Sequence, residues 1–310
     1  MTLKLVVTAL DDSIPGIRSV TLSDPAGGEL PGFVPGSHLA IEVGEKFNAY
    51  SLTGSGVAPR HYTISVLRVV DGTGSAYVHD RFGVGDTINA RLPRSAFPPV
   101  ARARRHLLIA GGIGVTPIVS HLRAARAWGR ETQVLYTFRD GYAAHLDDIR
   151  ELAPDAELIS GGPGVFMVRL RQVLTQQPLG THLYVCGPGP MIDAVVAAAG
   201  DAGWPASRVH LERFAMDAPA PGDPFTVTLT KTGTKLEVPS GTSLLEALDD
   251  AGVSVPNLCR QGVCGECRIP VESGTPLHRD MFLSDDEKRT GATMMACVSR
   301  CSGSELAVAL

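Results

Sequence analysis

The sequence predicts a multidomain chain with three classes in series: an antiparallel β-barrel or sandwich, a doubly wound α/β domain on a parallel sheet, and a small α+β domain. Three observations carry this. Short apolar runs alternate with turn signals to about residue 103, and strands then alternate with helical stretches to about residue 214. A proline-rich stretch follows, ahead of a last segment that holds five of the six cysteines. At 310 residues the chain has room for two or three cores.

In the first part, Leu39–Val43, Tyr62–Val69 and Thr87–Leu92 read as strands, with Pro35-Gly36, Asp71-Gly72 and Pro98-Pro99 as punctuation. The rhythm changes at His106–Ala110, a continuous apolar run of the kind buried in parallel sheets. Helices are expected near 117–127, 142–152, 168–176 and 190–201. Strands are expected at Gln133–Phe138, around Leu158, at His182–Cys186 and at Val209. That alternation implies a doubly wound sheet. Residues 215–224 read as a linker. Beyond it, Phe225–Leu229 and Lys235–Val238 suggest a hairpin, and Ser243-Leu-Leu-Glu246 and Ser284-Asp-Asp-Glu287 are capping boxes that should each open a helix. The expected boundaries are therefore 1–103, 104–214, a linker at 215–224, and 225–310.

Composition narrows the function. Hydrophobic residues at 44% and charged residues at 19% suit a globular protein. A net charge of −4 offers no attraction to nucleic acid or anionic lipid. Aromatic residues, at 5%, are too few for a single-strand stacking surface. No run of about 18 apolar residues reads as a membrane span. The first ten residues lack a signal-peptide pattern, so a cytoplasmic protein is expected.

The sharpest motif is Cys259-Arg-Gln-Gly-Val-Cys264-Gly-Glu-Cys267 with Cys297 downstream. This is the plant-type spacing for a [2Fe–2S] cluster. A binuclear cluster takes four thiolates on two irons, and a loop can wrap three of them around it only with small residues between. Gly262 and Gly265 supply these. A zinc knuckle would pair its thiolates as Cys-x₂-Cys units, which the four-residue gap disfavours. Cys301 would share a strand face with Cys297, and either packs in the core or approaches the cluster. His61, His79 and His278 read as surface or packing groups rather than ligands.

Two glycine turns mark the middle part. Gly111-Gly112-Ile113-Gly114-Val115-Thr116-Pro117 follows the first buried strand and opens a helix, with Thr116 placed to cap it and Pro117 in its first turn. Cys186-Gly187-Pro188-Gly189-Pro190-Met191 follows another strand. Loops at the C-terminal ends of strands in one sheet define a ligand crevice, and a helix N-terminus there suits an anion. A tight turn alone is the plainer reading of the first loop. Cys186 is either a small strand-end residue or a nicotinamide contact.

Taken together the chain resembles the phthalate dioxygenase reductase family, the single-chain reductases of Rieske-type oxygenases. The resemblance rests on Asn48-Ala-Tyr-Ser-Leu52, Gly72-Thr-Gly-Ser75, Leu92-Pro-Arg-Ser-Ala-Phe97, both glycine turns, Glu212-Arg-Phe214, the cysteine loop, His278-Arg-Asp-Met281 and Ala296-Cys-Val-Ser-Arg300. It implies an FMN-binding barrel, an NADH-binding domain and a β-grasp-like ferredoxin domain. By the same resemblance, Tyr50 contacts the flavin ring and Ser51 its N5 edge, while Gly74 and Ser75 hold the phosphate. Thr116 and Phe214 lie near the ring, with Phe214 as the closing aromatic, and Gly112, Gly114, Cys186, Gly187 and Pro188 of the two glycine turns are the candidate nicotinamide contacts. The family usually carries arginine where Asn48 stands, so Arg68 or Lys46 would supply that charge, or phosphate binding would be weaker. Thr73 stands where glycine is common. Asn48-Ala-Tyr-Ser-Leu52 resembles the branch serving carnitine-type oxygenases.

The implied activity moves electrons from NADH through FMN and the cluster to a separate Rieske non-haem iron oxygenase, with no acid–base residue. Arg260, Glu266 and Arg268 would face that partner, and Asp140 beside Arg139 would favour NADH over NADPH. A general flavin or ferric reductase and a cluster-bearing redox sensor are the alternatives.

Overall fold

The computed structural model describes residues 2–310 except 45, 71, 96, 215–220, 258–261, 263, 264 and 281, and without the side chains of Lys46 and Thr73. The chain divides into two compact units after Phe214.

The first unit begins with β1 (Thr2–Ile14), β2 (Ile17–Ser23), β3 (Ser37–Val43), β4 (Lys46–Ser51), β5 (His61–Leu67), β6 (Thr87–Arg91) and β7 (Arg94–Ser95). Their order is β4-β3-β6-β1-β2-β5, with β7 paired to β3. The neighbours run antiparallel. A Leu52–Ile64 bridge joins the two edges, so the sheet curls into a barrel. Alternation makes this possible: Leu39, Ile41 and Val43 on β3 and Tyr62, Ile64 and Val66 on β5 all point inward and are buried. A helix, α1 (Thr73–Arg81), interrupts the strands between β5 and β6.

The same unit continues with five parallel strands, β8 (Arg105–Gly111), β9 (Glu131–Thr137), β10 (Glu157–Ile159), β11 (Thr181–Cys186) and β12 (Val209–Glu212). Their order is β10-β9-β8-β11-β12, so the direction of winding reverses between β8 and β11. Four helices connect them: α2 (Val115–Ala127), α3 (Leu146–Leu152), α4 (Gly162–Thr175) and α5 (Gly189–Asp201). One sheet face, with Leu108 and Tyr136, packs against α2 and α3, and the other, with Leu107 and Ile109, packs against α4 and α5.

Two helices start later or earlier than the sequence pattern suggests. The helix expected from 142 begins at Leu146, because Gly141 and His145 both hold left-handed φ angles, +79° and +55°, which interrupt a helix. The helix expected from 168 begins at Gly162, where φ is +84° and Pro163 occupies the first turn.

The second unit holds β13 (Phe225–Leu229), β14 (Thr234–Val238), β15 (Arg268–Ser273), β16 (Pro276–Leu277), β17 (Thr293–Met295), β18 (Arg300–Cys301) and β19 (Glu305–Val308), with α6 (Leu244–Asp250) and α7 (Asp285–Thr290). The main sheet runs β14-β13-β19-β15-β17. Its first and last strands, β13 and β19, lie parallel at the centre. Leu244, Leu245 and Leu248 of α6 are buried in its core, the β-grasp arrangement. Both capping boxes form: Ser243 N–H donates to Glu246 at 2.8 Å and Ser284 N–H to Glu287 at 2.9 Å, with the reciprocal bonds present. The end of the proline-rich stretch belongs to this unit. The Pro221 carbonyl accepts from Gly241 N–H at 3.2 Å and the Asp223 carbonyl from Arg300 at 2.8 Å.

Candidate functional site

The reversal of winding places both glycine turns at adjacent strand ends, and each fills space that the other needs. A Cβ on Gly111 would stand 2.4 Å from Met191 Sδ, and one on Gly114 would stand 2.5 Å from the Cys186 carbonyl carbon. Gly187 lies 3.1 Å, by the same measure, from the Gly111 Cα. Gly112 adopts φ +52°. Thr116 is not the cap: Gly114 precedes the helix, and the buried Thr116 hydroxyl donates to the Ile113 carbonyl at 3.0 Å. Pro188 precedes α5 with no side-chain cap. Both helices thus present uncapped N-termini at one crevice, which suits an anion.

Beneath this mouth, Cys186 pairs in register with Glu212 on β12. Burial, helped by Glu212, pushes the Cys186 thiol well above its ordinary range. Glu212 lies on an edge strand and is part-exposed as a residue, but its Oε2 is shielded and has no hydrogen-bond partner among the described residues. Desolvation raises that carboxyl to about 8. Arg213 reaches back to the Gly189 carbonyl at 3.3 Å and pairs with Asp193, which holds residues 212–214 at the mouth. Phe214 follows, 36% exposed. Glu212 was visible in the sequence only as part of a matched string. Its pairing across to Cys186 depends on strand register and leaves no local signal.

On the barrel, β4 carries Asn48, Tyr50 and Ser51. The Tyr50 hydroxyl is buried without a hydrogen-bond partner among the described residues. Burial raises its pKa, and the nearby Asn48 amide lowers it by less, at a geometry short of a proper hydrogen bond. Ser51 is buried at the end of the strand, paired with His38. A Cβ on Gly74 would fall 1.9 Å from Asn48 Nδ2, so Asn48 lies over the first turn of α1. That helix has no side-chain cap and no acid in its first turn. The Ser75 hydroxyl is spent within its own loop, accepting from Val69 N–H at 3.1 Å and donating to the Gly72 carbonyl at 3.1 Å. An anion here meets backbone N–H groups rather than that hydroxyl. Arg68 is not brought to this end of α1 as a free charge. It forms a two-pronged pair with Asp80, in the last turn, at 2.7 and 3.0 Å. The Lys46 and Thr73 side chains lie outside the described residues.

In the second unit, Cys259, Cys264 and Arg260 also lie outside the described residues. Cys267 and Cys297 are buried, and Ala296 N–H donates to the Cys267 carbonyl at 3.0 Å, which brings these two distant stretches together. Gly262 and Gly265 hold φ of +73° and +79°, and a Cβ on them would strike Val298 at 2.6 Å and the Phe282 ring at 2.3 Å. Cys301 does not continue a strand from Cys297, because β18 spans only Arg300–Cys301. Its thiol donates to the Glu305 carbonyl at 3.2 Å and accepts from Gly303 N–H at 3.3 Å. Arg268 pairs with Glu287 at 3.1 Å, and Glu266 is half-buried.

Comparison with known proteins places these features in a lineage. Residues 86–209 match the family described as dimethylamine monooxygenase subunit DmmA-like, N-terminal domain, and residues 227–302 match the 2Fe-2S iron-sulfur cluster binding domain. A carnitine monooxygenase reductase subunit of Acinetobacter baumannii is 36% identical over 98% of this chain and 97% of its own length. The solved structure of phthalate dioxygenase reductase, described as modular for electron transfer from pyridine nucleotides to [2Fe–2S], superposes with a TM-score of 0.80 at 36% identity, covering 100% of this chain and 98% of that one. The chain belongs to the phthalate dioxygenase reductase family. Within that family, a heme-dependent oxidative N-demethylase beta subunit of Ectopseudomonas mendocina is 40% identical over 97% of this chain and 96% of its own. This member is an oxidoreductase with a C-terminal ferredoxin domain. No helix among the described residues is long and apolar enough to cross a membrane.

Proposed function

We propose that the chain is the cytoplasmic reductase component of an oxygenase system, taking electrons from NADH through FMN and a [2Fe–2S] cluster to a separate Rieske-type oxygenase. The observation that carries the reading is the crevice where Gly111, Gly114 and Gly187 leave no room for a side chain, on a chain similar from end to end to reductase subunits. NADH fits that crevice: the N-termini of α2 and α5, which have no side-chain caps, would hold its phosphates, and Cys186 and Glu212 would lie on the nicotinamide side. FMN fits the barrel: Tyr50, whose buried hydroxyl lacks a partner among the described residues, would contact the ring, and the first-turn N–H groups at Gly74 and Ser75 would receive the phosphate. Phe214 lies two residues beyond β12, at the mouth of the dinucleotide crevice. Cys259, Cys264, Cys267 and Cys297 ligate the cluster. The bound cofactors supply the redox chemistry, a two-electron acceptor feeding a one-electron carrier. The protein binds and aligns them.

The purified protein should release FMN on acidification, show an iron–sulfur spectrum, and bleach with NADH. Recovery of FAD, or slow turnover with cytochrome c, would count against the reading. A demethylating oxygenase is the favoured partner. The N-demethylase relative supports a second acceptor class, a haem-dependent oxidative N-demethylase. Stopped-flow reduction of one candidate of each kind separates them.

A further inference from the structure

We propose that His145 is a positioning residue for hydride transfer, holding the barrel against the dinucleotide crevice through a closed hydrogen-bond circuit. This rests on the reading that the barrel carries the flavin and the glycine turns carry the nicotinamide.

The circuit starts on β5. Ser65, 5% exposed, shares its hydroxyl with Ser19 Oγ at 2.7 Å and with His145 Nε2 at 2.8 Å. His145 Nδ1 meets Asp148 Oδ2 at 2.7 Å, and the other oxygen of Asp148 accepts from Arg123 Nη2 at 2.5 Å. Arg123 Nε donates to the Thr53 carbonyl at 3.0 Å, and Thr53 N–H donates to Thr63, two residues before Ser65, at 3.0 Å. The ring is therefore closed. It contains two separate bridges between the barrel and the α/β half, Ser65 to His145 and Thr53 to Arg123.

The circuit ends on elements that carry the proposed cofactor sites. Thr53 is two residues beyond Ser51, just past the end of β4. Arg123 is seven residues beyond Thr116, two turns along the same face of α2. His145 is one of only two non-glycine residues of positive φ among the described residues, at +55°. Such a conformation persists where surrounding contacts over-determine it, and here they are the bonds to Ser65 and Asp148.

The sequence Ser65, His145, Asp148 has the hydrogen-bond order of a nucleophilic triad. Ser65 sits in mid-strand opposite Ser19, buried, with its hydroxyl already shared, so no substrate carbonyl can approach it. The arrangement is a clamp. A clamp matters because hydride transfer depends steeply on donor–acceptor distance, and a misplacement of about 1 Å can cost about a hundredfold in rate.

The test is anaerobic stopped-flow reduction by NADH of the FMN-loaded full chain, comparing wild type with Ser65→Ala and His145→Asn. Asparagine is chosen because it tolerates the left-handed backbone. The limiting rate of flavin bleaching should fall about tenfold or more. The long-wavelength charge-transfer absorbance between nicotinamide and flavin should weaken, while FMN affinity and half-saturating NADH stay within about twofold. Ser65→Thr, which keeps the hydroxyl, should restore most of the rate and the absorbance. Unchanged rate and absorbance in both variants would overturn the positioning role, as would FMN loss in proportion to the lost rate. A wild-type chain that NADH fails to bleach would overturn the functional reading, and this one with it.

Discussion

A Cβ placed on Gly114 would stand 2.4 Å from the Cys186 carbonyl oxygen, closer than any real contact allows. The two strand ends on either side of the winding reversal are therefore in backbone contact, and the crevice owes its depth to that contact. Backbone cannot move aside as a flexible side chain can. Gly114→Ala should destabilise the protein by about 1–3 kcal/mol, as overpacking does. It should also raise the KM for NADH while leaving FMN content unchanged. A melting curve and an NADH saturation curve check both parts.

The cysteines make a sharper contrast. Cys267→Ser and Cys297→Ser should each abolish the iron–sulfur spectrum while NADH still bleaches the flavin, and Cys259→Ser and Cys264→Ser should do the same. Cys301→Ser should keep the spectrum, because that thiol is occupied within its own turn at Gly303 and Glu305. A spectrum lost with Cys301 and kept without Cys297 would reverse the ligand assignment.

The sequence exposed what depends on spacing and hid what depends on register. Both capping boxes and the alternation of parallel strands with helices follow local patterns, since a helix cap is encoded within a few residues. The Thr116 hydroxyl turns back to Ile113, because the chain takes an extra tight turn at Gly112–Gly114 before the helix. Arg68 looked available for a phosphate, and only the fold shows it held by Asp80. The Cys186–Glu212 pair and the Ser65–His145 bridge join residues far apart in sequence, so no window of sequence reveals them.

Asn48 offers a direct test of the flavin cradle. It lies over Gly74 at the open end of α1, where the relatives' usual arginine would add a charge to the helix dipole. Asn48→Arg should tighten FMN by about 1.5–3 kcal/mol, the range for a charge-assisted hydrogen bond. Equilibrium dialysis of FMN against both proteins gives the answer, and unchanged or weaker retention would place the phosphate elsewhere.

Nicotinamide choice should follow Asp140. It stands exposed beside Arg139 after β9, where the ribose of a bound dinucleotide is expected. A carboxylate there repels a 2′-phosphate, so kcat/KM should favour NADH over NADPH. Asp140→Ser should narrow the preference. A clear advantage for NADPH in the unmodified protein would refute the assignment.

The dependence of stability on pH should carry the signature of the crevice and of the histidines beneath it. Burial holds His121 at about 4, where it accepts no ready proton beside the Phe97 carbonyl, and holds His210 at about 4 beside His182. Unfolded, both return toward 6.5. Between about 4 and 6.5 the unfolded chain therefore binds more protons at these sites, and the stability they carry is lost as pH falls through that window. Glu212 works in the opposite sense. Folded, it keeps its proton to about 8, whereas unfolded it releases it near 4.5, so its contribution is full below 4.5 and is lost as pH rises through 8. From 4.5 to 6.5 these histidines, together with His106 and His182, which burial also holds down, oppose one carboxyl, and stability climbs. From 6.5 to about 8 Glu212 dominates and stability declines, and above that the Cys186 thiol, also raised by burial, adds to the decline. Asp12, Asp80 and Asp148, each held below the ordinary range by hydrogen-bonded basic side chains, titrate beneath this window. Urea midpoints at constant ionic strength from pH 4.5 to 8.5 should therefore peak near pH 6.5. Glu212→Gln should flatten the alkaline decline and steepen the acid limb, where its titration no longer opposes the histidines. An alkaline decline that survives the substitution would mean that Glu212 is already ionised in the folded protein.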